Sequence, residues 1–324
     1  MTNKKNLLIT GPLGHIGSKF IHSLCEQNNF DKVILIDNLS TLRYSSLFNL
    51  PSNNKFKFIE ADILKYDFEN ILNEVDIVLH LAAITDAAGS FDMADKIMET
   101  NLYGTNRVAG ACAITNTKLI FISTTSVYGP KNEFVDEDCS EDELNPQSPY
   151  AKSKLLAERS LFELSEKYQD FKFTICRFGT IFGTSVGMRF HTAINKFIWQ
   201  AVMDVPVTVW TTALNQRRPY LALDDAIRAL HFIVSNDYFN NTVYNVLSIN
   251  VTVNEIIEEI KKYVPDLGIN FVDSKIMNQL SYTVSNEKFK KLGFEFKYTI
   301  SDIFDTIMIL RNANFEKNCE RDLM

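Results

Sequence analysis

Six short apolar runs separated by helical patterns constrain this chain more than any other feature. "NLLIT", "KVILID", "KFKFIEAD", "VDIVLHLAA", "KLIFISTT" and "FKFTICRFG" follow one another between Asn6 and Gly179. Each is a near-continuous run of apolar residues, as strands buried on both faces of a parallel sheet require. Parallel neighbours cannot be joined by tight hairpins, so each needs a crossover, usually a helix. "HIGSKFIHSLCEQ", the helical stretch from about Asp92 to Thr115 and the segment opened by "SPYAKSKLLAE" supply such crossovers. The alternation predicts an α/β fold with a doubly wound parallel sheet.

After about Gly183 the rhythm changes. A helical, aromatic-rich segment (Met188 to Met203) precedes the short strand "PVTVW", the basic turn "NQRRPY", the helix "LDDAIRALHFIV" and the strand "TVYNVLS". "TVNEIIEEIKKYV" reads as a helix with Thr252 as N-cap and Glu255 three residues on, a capping box. "ISDIFDTIMILRNA" is the terminal helix. Residues 1–183 are expected to form the sheet domain, with segments from about 206–246 returning to it, and 184–324 mainly a smaller C-terminal α/β lobe. The acidic loop "GPKNEFVDEDCSEDELNPQSP" is expected to be a flexible surface segment.

Composition excludes several functions. The formal net charge is −7 and no basic stripe stands out, which argues against nucleic-acid binding. No apolar run is long enough to span a bilayer, so no membrane partner is expected. The apolar stretch after "MTNKK" stops at Gly11, too short for a signal-peptide core. The five cysteines (Cys25, Cys112, Cys139, Cys176 and Cys319) are widely spaced without a C-x-x-C pair, which fits a reducing cytoplasm. The five histidines show no H-x-x-x-H spacing, so no metal site is expected.

"TGPLGHIGS" directly follows the first strand and opens a helix, with Gly11, Gly14 and Gly17 spaced G-x-x-G-x-x-G. Such glycines allow a tight turn and a close approach to a pyrophosphate, whose charge then sits at the helix N-terminus. Alone the pattern is also an ordinary glycine-rich turn. The strand before it and the helix after it are the context a dinucleotide site needs. "KVILID" ends in Asp37, twenty residues past Gly17, where a carboxylate can accept hydrogen bonds from an adenosine ribose. It would repel a 2′-phosphate, so NAD is expected over NADP, although Arg43 works against that preference. Asp62, after the third strand, is placed to meet the adenine edge.

"SPYAKSKLLAE" sets Tyr150 and Lys154 four residues apart on one face at the start of an amphipathic helix. By itself the pair is also read as a packed tyrosine and a solvated lysine.

Taken together, "TGPLGHIG", "IDNLS", "EADI", "VLHLAA", "TNLYGT", "ISTTSVYG", "SPYAKSK", "RFGTIFG" and "RRPYLALDDAIRAL" stand in the order of one family. From about Asn6 to at least Asp225 the chain resembles the extended short-chain dehydrogenase/reductase family, the NAD-dependent nucleotide-sugar epimerases and dehydratases. The resemblance implies a Rossmann-type NAD domain and a smaller lobe that binds a nucleotide-diphosphate sugar. It also implies a homodimer built through two long helices, those after Asp92 and after Pro149. It makes Tyr150 the catalytic base, Lys154 its partner and holder of the nicotinamide ribose, and Thr124 the hydroxyl that bonds the reacting sugar hydroxyl. A free phenol titrates near about 10. A nearby ammonium and the positive nicotinamide ring are expected to pull Tyr150 toward neutrality.

The resemblance further places His15 and Ile16 of the glycine turn, Asn38 beside Asp37, and Ile63 beside Asp62 at the cofactor. Leu81, Ala82 and Ala83 would line the cofactor trough, and Asn101 would support the active-site architecture. On the substrate side it implies Thr125, Ser126, Thr180, Arg189 and Arg218, the last as a clamp on the diphosphate.

There are departures from the family. Its 4,6-dehydratases carry an Asp-Glu pair directly after the threonine that Thr124 matches, where this chain has Thr125 and Ser126. Water elimination would lack its acid and base. Thr180 stands where many epimerases have asparagine. "GMRFHTAINKFIWQA", with Arg189, His191, Lys196 and Trp199, is either a nucleotide or sugar contact or a core helix with a wet basic face. The activity implied is an NAD-dependent nucleotide-sugar epimerase acting by transient oxidation at C4. A C4 dehydrogenase or keto-sugar reductase would use the same residues. A non-catalytic dinucleotide-binding sensor or scaffold would keep the glycine turn and usually lose the Tyr/Lys pair. The carrier, whether UDP, GDP or dTDP, has no motif to identify it.

Overall fold

The computed structural model describes residues 4–25, 29–51, 55–85, 91–129, 133–273 and 281–311. The first half reads β1 (Lys5–Thr10), α1 (His15–Ser23), β2 (Phe30–Asp37), β3 (Phe56–Glu60), α2 (Glu69–Leu72) and β4 (Ile77–His80). Next, α3 (Ala94–Ile97) runs through a π-helical turn, Met98–Tyr103, into α4 (Gly104–Thr115). β5 (Lys118–Thr124), β6 (Phe134–Val135), α5 (Pro149–Lys167) and β7 (Phe173–Phe178) follow. The second half continues with β8 (Thr180–Phe182), α6 (Ala193–Val202), β9 (Val207–Trp210), β10 (Arg217–Ala222), α7 (Leu223–Ser235) and β11 (Thr242–Val246). It closes with β12 (Ile249–Thr252), α8 (Val253–Lys261), β13 (Ile269–Val272), β14 (Thr283–Val284), α9 (Glu287–Lys290) and α10 (Ile303–Arg311).

The apolar runs form a seven-stranded sheet in the order β3-β2-β1-β4-β5-β7-β11, every neighbouring pair parallel. Alternate residues of β1 serve opposite faces. Leu7 and Ile9 pack with Phe20, Ile21 and Leu230 on the α1/α7 side, while Leu8 packs with Val108, Ala109 and Leu161 on the α4/α5 side. Both faces are therefore dry, which is why the strands carry no polar alternation. The fold is the expected Rossmann-type α/β architecture. β1 and β4 lie side by side and successive strands run outward from them in both directions. That switch point leaves a crevice at the strands' carboxyl ends.

The C-terminal lobe packs α6, α8 and α10 around Phe197, Ile198, Ile256, Ile260 and Ile307. Its strands form a three-stranded sheet, β12-β10-β8, and the pair β13-β9. Of the stretch 206–246, α7 packs on α1 and β11 completes the large sheet, whereas β9 and β10 pair within the lobe. Thr252 and Glu255 form the expected capping box.

Two local expectations differ from the structure. The helix expected from Met188 starts at Ala193. The buried Asn195 donates to Arg189 O (3.1 Å) and accepts from Gly183 N (3.1 Å), which holds the residues between them in a non-helical strap. The acidic loop is not free surface. β6 pairs with β14, Val135 is buried, and Glu137 accepts from Asn245 N of β11 (2.5 Å). Residues 130–132 of that loop, Cys319 and the end of the expected terminal helix lie outside the described residues. Among the described residues, no helix is long and apolar enough to cross a membrane, and no group of His, Cys, Asp or Glu gathers as a metal site.

Candidate active site

The glycine turn joins β1 to α1 at the switch point. Gly11 has φ +68°, and a Cβ there would lie 2.6 Å from Ala82 N, so only glycine lets the turn pass the end of β4. Gly17 packs on the backbone of Pro12. Gly14 differs, because a Cβ there would meet nothing nearer than Gly11 O at 3.6 Å. Protein packing does not demand glycine at Gly14, and the open space faces the start of α1. That helix has no side-chain cap and no acidic residue in its first turn. Its free N–H groups form a cradle that fits a dinucleotide pyrophosphate.

Asp37 lies beside this turn. It accepts from Leu39 N (2.9 Å) and Leu13 N (3.4 Å). Burial raises its pKa, and the backbone donors and the Arg43 guanidinium oppose that rise. Asn38 is exposed and accepts from Ser40 N (3.1 Å). Asp62 closes its own turn through Leu64 N (2.9 Å), and Ile63 is buried against Gly104. Ile16 is half-buried on α1, and Leu81, Ala82 and Ala83 continue β4 as a half-buried ledge.

A chain of hydrogen bonds supports that ledge. Ala82 N reaches Thr10 Oγ1 (3.4 Å), Thr10 Oγ1 meets His80 Nδ1 (2.7 Å), and His80 Nε2 meets Thr105 Oγ1 (3.0 Å). Thr105 donates to Asn101 O (2.5 Å), so Nε2 carries the proton toward Thr105 and Nδ1 accepts from Thr10. Only a neutral imidazole satisfies this chain, and burial drives His80 down to about 3. Asn101, buried in the π-helical turn, clamps Ile84 through both N (2.8 Å) and O (2.9 Å) and reaches Ser153 on α5 (3.3 Å). Its polar atoms are thus spent on the protein, and it fixes α5 against the end of β4.

α5 starts where it does because Ser148 caps Ala151 N (3.1 Å) and Pro149 occupies the first turn. This sets Tyr150 at the crevice, half-buried and hydrogen-bonded to Thr124 at the end of β5. Lys154 is buried. Its Nζ donates to Ile122 O (2.8 Å) and lies 4.6 Å from the centre of the Phe121 ring. Burial pushes Tyr150 up to about 12, and the groups that pull it back are the Arg189 guanidinium and Thr124. Lys154 itself is driven down to about 7 by burial, with Glu158 opposing.

The substrate-side residues fall into two groups. Thr125 is buried and donates to Phe178 O (3.4 Å), and Ser126 N donates to Thr124 Oγ1 (3.1 Å). Arg189 donates to Thr85 and acts electrostatically on both Tyr150 and His15, so it spans from the glycine turn to the phenol. His15 is buried, bonds Gly183 O through Nε2 (2.9 Å) and is driven down to about 4. Further away, Thr180 is exposed at the start of β8, opposite Tyr220 of β10. Arg218 of β10 reaches Gln216 Oε1 (3.3 Å) and stands 5.7 Å from the Tyr282 ring centre.

Sequence reasoning missed Tyr282. It is buried and donates to Thr125 O (3.2 Å), which ties the Arg218 arm to the loop after Thr124. No motif announces it, since the contact joins residues 157 positions apart.

Comparisons with known proteins place the chain in a family. The sequence model of the NAD dependent epimerase/dehydratase family matches residues 7–246, and the chain belongs to that family. The dTDP-D-glucose 4,6-dehydratase of Mus musculus is 30% identical over 98% of this chain and 92% of that protein. A trifunctional UDP-glucose 4,6-dehydratase/UDP-4-keto-6-deoxy-D-glucose 3,5-epimerase/UDP-4-keto-L-rhamnose-reductase of Arabidopsis thaliana is 30% identical over 90% of this chain. The chain spans 45% of that relative's length. Among solved structures, UDP-glucuronic acid 4-epimerase from Bacillus cereus holds UDP-4-deoxy-4-fluoro-glucuronic acid and NAD. It superposes with a TM-score of 0.85 at 27% identity, covering 94% of this chain and 99% of that one. UDP-N-acetylglucosamine 4-epimerase from Methanobrevibacter ruminantium, in complex with UDP-N-acetylmuramic acid, gives 0.80 at 27% identity over 96% and 97%.

Proposed function

We propose that this chain is an NAD-dependent nucleotide-sugar 4-epimerase, acting by transient oxidation at C4. The observation that carries the reading is the meeting of Thr124, Tyr150 and Lys154 at the carboxyl end of β5, with no carboxyl group on the two residues after Thr124. An elimination of water would need an acid and a base there. Bound NAD would supply the hydride acceptor at C4 and return the hydride to the opposite face. The chain's own groups do the rest. Thr124 orients the sugar hydroxyl and the Tyr150 phenol toward one another. Tyr150 takes the hydroxyl proton and gives it back. Lys154 anchors the nicotinamide ribose, and Arg218 holds the diphosphate. Asp37, beside the turn, favours NAD over NADP.

The exposed Tyr103, Ile114 and Phe162 along the α4/α5 side support a homodimer through these helices. The unbridged Cys25, Cys112, Cys139 and Cys176 support a cytoplasmic setting. The test is incubation with NAD and a panel of UDP-, dTDP- and GDP-sugars, read by sugar NMR and nicotinamide absorbance in one tube. The expected result is a C4 isomer without lasting reduced nicotinamide. Accumulated reduced nicotinamide with a keto sugar, or a 6-deoxy-4-keto product, would overturn it.

A further inference from the structure

Beneath the Tyr/Lys pair lies a charged cluster that the proposed chemistry does not use. Glu158 sits one helical turn beyond Lys154 on the same face of α5, and both are buried. Arg177 of β7 grips its carboxylate through Nε (3.1 and 3.2 Å) and Nη2 (2.7 Å). Ser123 Oγ donates to the same carboxylate. The third guanidinium nitrogen of Arg177 donates to Tyr128 Oη (3.0 Å), which in turn donates to Asn245 (2.8 Å). Successive residues of β5 thus receive the two side chains, Ile122 O taking Lys154 Nζ and Ser123 taking Glu158. A buried ion pair in a core of this kind adds little stability over an apolar packing. Its placement beside a buried lysine gives it a different use.

We propose that Glu158 is a positioning residue that keeps Lys154 in its charged form, with Arg177 and Ser123 holding the carboxylate in place. The inference rests on the reading of Lys154 as part of the catalytic site. Two titratable groups act with Lys154 electrostatically, Glu158 on its own helix and His80 on β4, and behind Glu158 stand Arg177 on β7 and Tyr128 beyond β5. His80 is held neutral by its hydrogen-bond chain. Arg177 spends its charge on Glu158 and Tyr128. Glu158 is the anion among them, and it raises the lysine against the effect of burial.

The experiment is a ¹³Cε-lysine NMR titration of the cofactor-loaded protein, with Lys154 assigned from the signal lost in Lys154→Arg. Glu158→Gln is expected to move the Lys154 midpoint down by about one pH unit. The basic limb of the turnover profile is expected to move down with it. Glu158→Gln strands the Arg177 charge, so Glu158→Gln/Arg177→Gln is made alongside it and is expected to show a smaller downward move; a fall seen only in Glu158→Gln belongs to the stranded guanidinium and overturns the inference. A midpoint unchanged in the folded variant overturns the inference. A midpoint that falls while the pH profile stays fixed upholds the hold of Glu158 on Lys154 and removes Lys154 from the catalytic reading instead.

Discussion

The two walls of the crevice are built differently. The wall formed by β1, β4, β5 and α5 is dry. Thr10, His80, Thr105, Asn101, Lys154 and Glu158 are all buried, and each has defined hydrogen-bond partners within the wall. The other wall, with Thr180, Arg189 and Arg218, is half-buried or exposed, and Arg189 on Thr85 and Arg218 beside the Tyr282 ring are its contacts that reach across the chain. On the proposed reading, the difference follows from what each wall must fix. A proton-transfer group needs one orientation, which a fully bonded setting enforces. A diphosphate clamp needs a charged fork that water can reach before the ligand does.

The sharpest way to break this comparison is Tyr150→Phe. Turnover should fall about 100- to 10,000-fold, with the thermal midpoint close to the parent because the ring still fills its place. A large drop in the midpoint would make Tyr150 a structural member of the dry wall. Arg218→Met comes next. The half-buried guanidinium should cost KM about ten- to a hundredfold, from hydrogen bonds to charge worth about 1.5–3 kcal/mol, and leave kcat nearly intact. A fall confined to kcat would place Arg218 with the chemistry.

Acid should strain the dry wall before the wet one. A histidine held neutral when folded binds fewer protons than the unfolded chain, whose imidazole titrates near about 6.5. The contribution of such a histidine to stability is full above that pH and is lost as pH falls toward about 4 for His15 and about 3 for His80. Melting temperature should therefore drop between pH 6.5 and 4, and less steeply in His80→Gln. Equal slopes would remove His80 from the account. The smallest effect is expected from Tyr282→Phe, which removes the bond to Thr125 O and should cost about 0.5–1.5 kcal/mol by denaturant titration.

Much of the dry wall was legible in the sequence because its signals are local. Gly11 and Gly17, the strand-ending Asp37 and the four-residue spacing of Tyr150 and Lys154 follow from turn and helix geometry, and Gly14 from its regular spacing with the other two. The charge state of Tyr150 was not legible, since it depends on burial and on Arg189 arriving from a distant strap. That strap also explains the late start of α6. Asn195 closes it from a position that reads as one more polar residue in a helix. Tyr282 and Arg177 carry no spacing signal because their partners come from distant parts of the chain, and the four-residue step from Lys154 to Glu158 does not reveal that Arg177 holds the carboxylate.

The most direct test of the central claim follows the hydrogen at C4. A nucleotide sugar deuterated at C4 is incubated with the NAD-loaded protein, and the product is read by NMR. Transient oxidation at one site predicts a C4-inverted product that keeps its deuterium, with none released to water. Deuterium left in accumulated reduced nicotinamide, or a 4-keto-6-deoxy product carrying the deuterium at C6, would contradict the account.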